Sequence, residues 1–339
     1  MHRLGSLIGA LAFVGATSIA VAGEWQPLPT KAPEPADNPT TPEKVELGKI
    51  LYHDPRLSSS GTVSCASCHN VMAGGDDNRG GSVGVKAQVG GRSSPTVWNS
   101  AFNATQFWDG RAPSLEAQAK GPVTNSIEMG MKSWDDVIIR LKAIPGYAPL
   151  FAKAFSGADS ITTDNVAKAI AAYERTLITP NSAYDKYATG DLKALSEQQI
   201  RGLQTFADTG CVTCHSGPGF NGSQNGQGIG DYIKFPAIEN GALEAQYGFS
   251  KDLGRFEVTK NEADKHLFKV PTLRNISLTA PYFHNGKVTS LGDAVNVMAK
   301  TQLGKDLTPQ QITDIVAFLD SLTGEFPKQE MPRLPGYPG

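Results

Sequence analysis

Neither sign of charge dominates this 339-residue sequence: 33 acidic residues stand against 31 basic ones, a formal net charge of −2. That balance excludes the electrostatic footprint of a nucleic-acid binder or of a protein held on a strongly anionic membrane. Long apolar runs are as scarce. The one near the start, "LIGALAFVGATSIAVA", is about 16 residues, short for a membrane span, and no later run approaches it. No stable membrane insertion is therefore expected. Few segments alternate apolar and polar residues as strands do, which argues against a β fold. Histidine is limited to six residues and cysteine to four, and the stretch "SVGVKAQVGGRSSPTVW" at 82–98 has no histidine at all.

The remaining composition, 40% hydrophobic and 8% aromatic, can bury a core, and the length suits two domains better than one. His2 and Arg3 precede the early apolar run, which ends in Ala20-Val21-Ala22. A basic start, a short apolar stretch and small residues spaced for a signal peptidase predict a signal peptide over 1–22 and export, to a bacterial periplasm. The segment "EWQPLPTKAPEPADNPTTP" that follows is Pro-rich and polar, so 23–42 reads as a flexible or extended lead-in.

All four cysteines fall in two motifs, "CASCH" and "CVTCH". Two disulfides or a zinc site would also use four cysteines, but neither explains why a histidine follows each pair at once. The C-x-x-C spacing matches the two vinyl groups of a haem, and the next residue presents an imidazole to the iron. The sequence thus predicts two covalent c-type haems, attached through Cys65 and Cys68 and through Cys211 and Cys214, with His69 and His215 as proximal ligands.

The chain also repeats itself. The motifs begin at 65 and 211, and two segments of helical periodicity, "ITTDNVAKAIAAYERTL" and "LTPQQITDIVAFLDSLT", begin at 161 and 307, the same offset. Both open with a threonine suited to cap a helix. Upstream of the motifs, "ELGKILY" pairs with "IRGLQTF". A helix, C-x-x-C-H, irregular loops and a closing helix, twice over, predict a mainly α fold of two cytochrome c-like domains, with a linker near "TPNSAYDKYATGD". The second half offers a thioether, Met298, as sixth ligand, and His/Met ligation suits a high-potential haem. The first half has Met72, Met129, Met131 and His53, none well placed. Two unlike haems suggest an enzyme with a storing site and a reacting site.

With these residues in view, the chain resembles the bacterial di-haem cytochrome c peroxidases. The resemblance runs over about 42 to 325 and rests on "LGKILYHDPRLSSSGTVSCASCHN", "RSSPTVWNSAFNATQFWDGRAPSLEAQAKGPV", "NSIEMGM", "FKVPTLRNISLTAPYFHNGKV" and "AVNVMAKTQLG". It implies a peroxidatic haem in the N-terminal half and an electron-transferring haem in the C-terminal half. Trp108 resembles the tryptophan between the haems, Gln118 and Glu128 the distal-pocket pair, and Met298 the axial methionine. Thr279 and Pro281 resemble carbonyl ligands of an interdomain calcium, while His284 receives no catalytic role. The chemistry suits these assignments. Heterolytic cleavage of peroxide needs a proton moved from one oxygen to the other, which a carboxylate can do, and an amide can hold peroxide by hydrogen bonds.

Two positions depart from the family pattern. Gated relatives carry a histidine where this sequence has Val85, and the calcium side chain, usually asparagine, aligns with Ser93, a poorer oxygen donor. Valine cannot ligate iron. The His69 haem is therefore expected to have an open or water-occupied sixth site, unless Met72 or Lys86 swings in.

The resulting expectation is a periplasmic peroxidase that converts hydrogen peroxide, two electrons and two protons into two waters. Its electrons would come from a small soluble cytochrome c or a copper protein, and a homodimer is implied by the resemblance. The expected layout is a haem domain at 43–180, a linker at 181–190, a second haem domain at 191–326 and a tail at 327–339. Two rivals stand beside this reading. One is a di-haem oxidase of a partner protein, of the MauG kind, which places tyrosine where Met298 stands. The other is a non-enzymatic electron carrier, which would need neither Glu128 nor Gln118.

Overall fold

The computed structural model describes residues 25–222 and 232–336; the expected signal peptide lies outside the described residues. The fold is mainly α. Among the described residues six helices of ten residues or more carry it: α1 (Pro42–His53), α2 (Leu115–Thr124), α3 (Thr163–Glu174), α4 (Glu197–Thr209), α5 (Leu291–Leu303) and α6 (Pro309–Asp320). Among the described residues strand is confined to β1 (Tyr232–Lys234) and β2 (Leu267–Lys269), paired antiparallel with Tyr232 opposite Lys269.

Each half is closed by one helix pair, α1 on α3 and α4 on α6. Both crossings are made close by a glycine. A Cβ on Gly48 would run into the Ala169 carbonyl, and one on Gly202 into the Asp314 carbonyl. These glycines hold the same place in "ELGKILY" and "IRGLQTF", so the repeat seen in the sequence is a repeat of packing. The threonine caps form as expected: Thr162 Oγ1 accepts from the Asn165 N–H and Thr308 Oγ1 from the Gln311 N–H, each at 3.2 Å. Each such cap contributes about 1 kcal/mol. Gly202→Ala is expected to cost about 1–3 kcal/mol by overpacking this crossing. Gly241→Ala, whose Cβ would meet nothing within 4 Å, is the control. Denaturant midpoints of the two variants check it.

Among the described residues three apolar clusters form the core. The first joins Leu47 and Leu51 of α1 to Ile170 and Tyr173 of α3 and to Trp98 and Phe151. The second stacks Tyr184, Phe206, Phe220 and Phe318. The third gathers Phe235, Phe249, Phe268 and Val297, with Trp108 from the first half packed against it.

The stretch read as a linker folds into a short helix, Ala183–Ala188, opened by a Ser182/Asp185 capping box. It is held because Tyr184 is fully buried and Asp185 pairs with buried Arg274 at 2.8 Å. The lead-in is extended yet docked. Trp25 sits among Tyr184, Phe220 and Phe318 of the second half, with ring centroids 6.4, 6.2 and 6.5 Å away. At the other end the tail returns to the first half. Tyr173 donates its hydroxyl to Gln329 at 3.1 Å, Arg56 donates to the Pro335 carbonyl at 2.8 Å, and Leu334 packs on the first core.

Candidate functional site

Two cavities open inside this frame. The first, of about 990 Å³, is walled by Cys65, Cys68 and His69, and also by Gln118, Glu128 and Trp108. The second, of about 240 Å³, is walled by Cys211, Cys214, His215, Met298 and, again, Trp108. Each motif closes as one tight turn: the His69 N–H donates to the Cys65 carbonyl at 2.9 Å and the His215 N–H to that of Cys211 at 3.0 Å. The turn brings both thiols and the imidazole to one wall.

The imidazoles are set for a ligand. Nδ1 of His69 lies 2.9 Å from the Pro95 carbonyl, and Nδ1 of His215 lies 2.9 Å from the Phe220 carbonyl. A carbonyl only accepts, so Nδ1 carries the proton and Nε2 keeps its lone pair for the cavity. Burial lowers the pKa of both rings, against the opposing pull of those backbone bonds, which keeps them neutral. Burial likewise pushes the Cys68 and Cys211 thiols up to about 11 and raises Cys65 and Cys214. Among the described residues no three His, Cys, Asp or Glu side chains converge as a zinc site requires; two thiols and an imidazole instead share one wall of each cavity. They fit a covalently attached haem in each cavity.

Above the first cavity, Leu115, Gln118, Ala119 and Pro122 form a stripe along α2 that faces inward. The turn after α2 carries Glu128. Asn125 organises that turn, accepting from the Ile127 N–H at 2.9 Å and donating its amide to Glu128 Oε1 at 2.7 Å. Burial raises the Glu128 pKa, against the pull of the Arg111 charge. Of the sixth-ligand candidates in this half, Met129 lines the cavity while packed in the first core. Met72, Met131 and His53 do not line it.

Much of the loop without histidine lines the first cavity, but its Val85 side chain does not. Val85 is 2% exposed and belongs to the first core, not to the cavity wall. Its N–H donates to the Glu128 carbonyl at 2.8 Å, and Gln88 donates to the Ser126 carbonyl at 2.9 Å. A Cβ on Gly84 would collide with the Ile127 carbonyl, so only glycine allows this approach. Lys86 is exposed, and Met72 is 65% exposed.

Between the cavities, Trp108 is fixed at both ends. Its indole N–H donates to the Ser93 carbonyl at 2.8 Å, and its own carbonyl accepts the Lys269 N–H at 2.7 Å. His284 sits beside it, with ring centroids 6.4 Å apart, and stacks on Phe268 at 4.4 Å. Burial holds the His284 ring down at about 4, hence neutral. Ser93, Thr279 and Pro281 reach the wall of the second cavity together. The Ser93 hydroxyl donates to the Arg79 carbonyl at 3.0 Å.

Residues 42–193 match the family described as di-haem cytochrome c peroxidase, and residues 199–323 the family described as cytochrome c. Cytochrome c551 peroxidase of Pseudomonas aeruginosa is 47% identical over 313 residues, which is 92% of this chain and 87% of that protein. This chain belongs to the di-haem cytochrome c peroxidase family. Methylamine utilization protein MauG of Methylorubrum extorquens is 38% identical over 320 residues, 91% of this chain and 86% of that one. A solved structure, of a MauG-like protein associated with microbial copper homeostasis, superposes with a TM-score of 0.76 at 29% identity, covering 88% of this chain and 95% of that chain.

Three residues of this family member escaped the sequence reading. Asn125 holds the Glu128 carboxyl, and its signal was an asparagine just past a helix and three residues before an acid. Arg92 ties the halves by pairing with Asp109 at 2.5 Å and Asp252 at 2.6 Å. Lys269 lines the second cavity. Neither role was legible in the sequence: the Asp252 partner of Arg92 lies 160 residues away, and Lys269 is set apart only by the cavity it lines.

Proposed function

We propose that this chain is an exported, periplasmic cytochrome c peroxidase that reduces hydrogen peroxide to water. The observation that carries it is the pair of unlike cavities, alike in Cys, Cys and His, that share Trp108, one with Glu128 and Gln118 and the other with Met298. Cys65, Cys68 and His69 would hold one haem, and Cys211, Cys214, His215 and Met298 the other. Bound there, the haems supply the electron transfer that reduces peroxide. The protein's own residues do the rest. The Gln118 amide holds peroxide by hydrogen bonds, and the Glu128 carboxylate takes a proton from one peroxide oxygen and gives it to the other, which leaves as water. Asn125 keeps that carboxylate aimed, and Trp108 shortens the path between the cavities. Met298 argues against a MauG-like oxidase, and a pure carrier would have no use for Glu128 and Gln118 on the wall of the first cavity.

A small cytochrome c or a copper protein would deliver electrons to the Met298 side, and the working unit would be a homodimer. Calcium would rest on the Thr279 and Pro281 carbonyls with Ser93, whose hydroxyl can accept at its lone pairs while donating to Arg79. Oxidation of a reduced small cytochrome c on addition of peroxide tests the activity, with two haems per chain required.

The His69 site is proposed to be open at rest, because Val85 is committed to the core and Lys86 and Met72 lie outside the cavity. Electron paramagnetic resonance of the all-ferric protein should give a high-spin signal that cyanide abolishes. Two low-spin haems that bind neither cyanide nor peroxide would contradict it.

A further inference from the structure

Lys269 is the one charged residue among the described lining of the second cavity, whose walls are otherwise largely apolar. Its backbone is fixed twice, by pairing with Tyr232 across the two strands and by its N–H bond to the Trp108 carbonyl. Its ammonium, in contrast, makes no hydrogen bond or ion pair among the described residues. In the first cavity Arg92 is matched by Asp109 and Asp252, and Arg111 by Asp109.

A cation taken from water into apolar surroundings without a partner is costly. Here burial alone drives the ammonium down to about 8. No carboxylate among the described residues lines this wall, which leaves room for an anion that arrives with whatever fills the cavity. A haem carries two propionate carboxylates, the anionic groups on its periphery. We propose that Lys269 is the cationic partner of a propionate on the haem held by Cys211, Cys214 and His215, and that it raises that haem's reduction potential. The inference rests on the di-haem reading above. A nearby positive charge favours the reduced, less positive iron, and loss of the charge favours the ferric state. Lys269 acts on potential and not on peroxide, so it is a positioning residue. Its bond to Trp108 also ties the propionate end of that haem to the residue between the cavities.

The test uses the whole holoprotein as wild type, Lys269→Met and Lys269→Arg. Haem content is counted first, by the pyridine haemochrome method. Redox titration then follows the absorption of the His/Met haem, and resonance Raman follows its propionate bending mode. Lys269→Met is expected to keep two haems, to shift the ferric/ferrous balance about tenfold toward ferric, which is 59 mV for a one-electron couple, and to move the propionate mode. Lys269→Arg should restore both. Two haems with an unchanged potential in Lys269→Met would overturn the inference alone. An equal fall in Lys269→Met and Lys269→Arg would also overturn it, since charge would then be irrelevant. Fewer than two haems in the wild type would overturn the di-haem reading and this inference with it.

Discussion

Glu128→Gln is expected to keep both haems and lower kcat about 10²-fold or more, because glutamine can accept a hydrogen bond but cannot carry a proton between two oxygens. The site predicts the pH dependence as well. Burial raises the pKa of this carboxyl, so its protonated form persists to higher pH than for an ordinary glutamate. A base must be ionised to act. Activity should therefore fall on acidification through a limb that lies above the usual carboxylate range, and Glu128→Gln should abolish that limb. Asn125 allows a finer test. Asn125→Asp keeps the acceptor for the Ile127 N–H but sets a second carboxylate against Glu128, in place of the amide now 2.7 Å away. Like charge raises a carboxyl pKa, so the limb should move to still higher pH. A wild-type kcat in Glu128→Gln would remove this residue from the chemistry.

Met298→His is expected to have the second large effect, on the other cavity. A thioether favours ferrous iron more than a second imidazole does. The substitution should lower the potential of the His215 haem by at least tenfold in the ferric/ferrous ratio, about 59 mV for one electron. Haem content should stay normal while turnover with the natural donor falls, since electrons would reach a site that no longer draws them in. An unchanged potential would reduce Met298 to packing in the third core.

What could be read from the sequence was local or repeated. The two C-x-x-C-H motifs and the Thr162 and Thr308 caps each declare themselves within a few residues, and their common offset supports the two-fold plan. Gln118 and Glu128 came through the resemblance, and both face the first cavity. Long-range contacts were harder to foresee. Asp185 reads as a polar linker residue until Arg274 is placed against it. Val85 reads as a missing ligand, but its burial beneath Glu128 depends on Gly84 passing close to the Ile127 carbonyl. Lys269 reads as one more basic residue, and only its place on the wall of the second cavity separates it from the rest.

The two ends of the chain are exchanged between the halves: Trp25 completes the aromatic stack of the second, and Leu334 with Pro335 closes over the first. Neither half therefore owns all of its own core. During synthesis the first half must wait for the last dozen or so residues before its surface is sealed, although its haem-binding cysteines emerge early. Once both ends have docked, opening one half must first peel away a strap that belongs to the other, so the two haem compartments should lose their structure together.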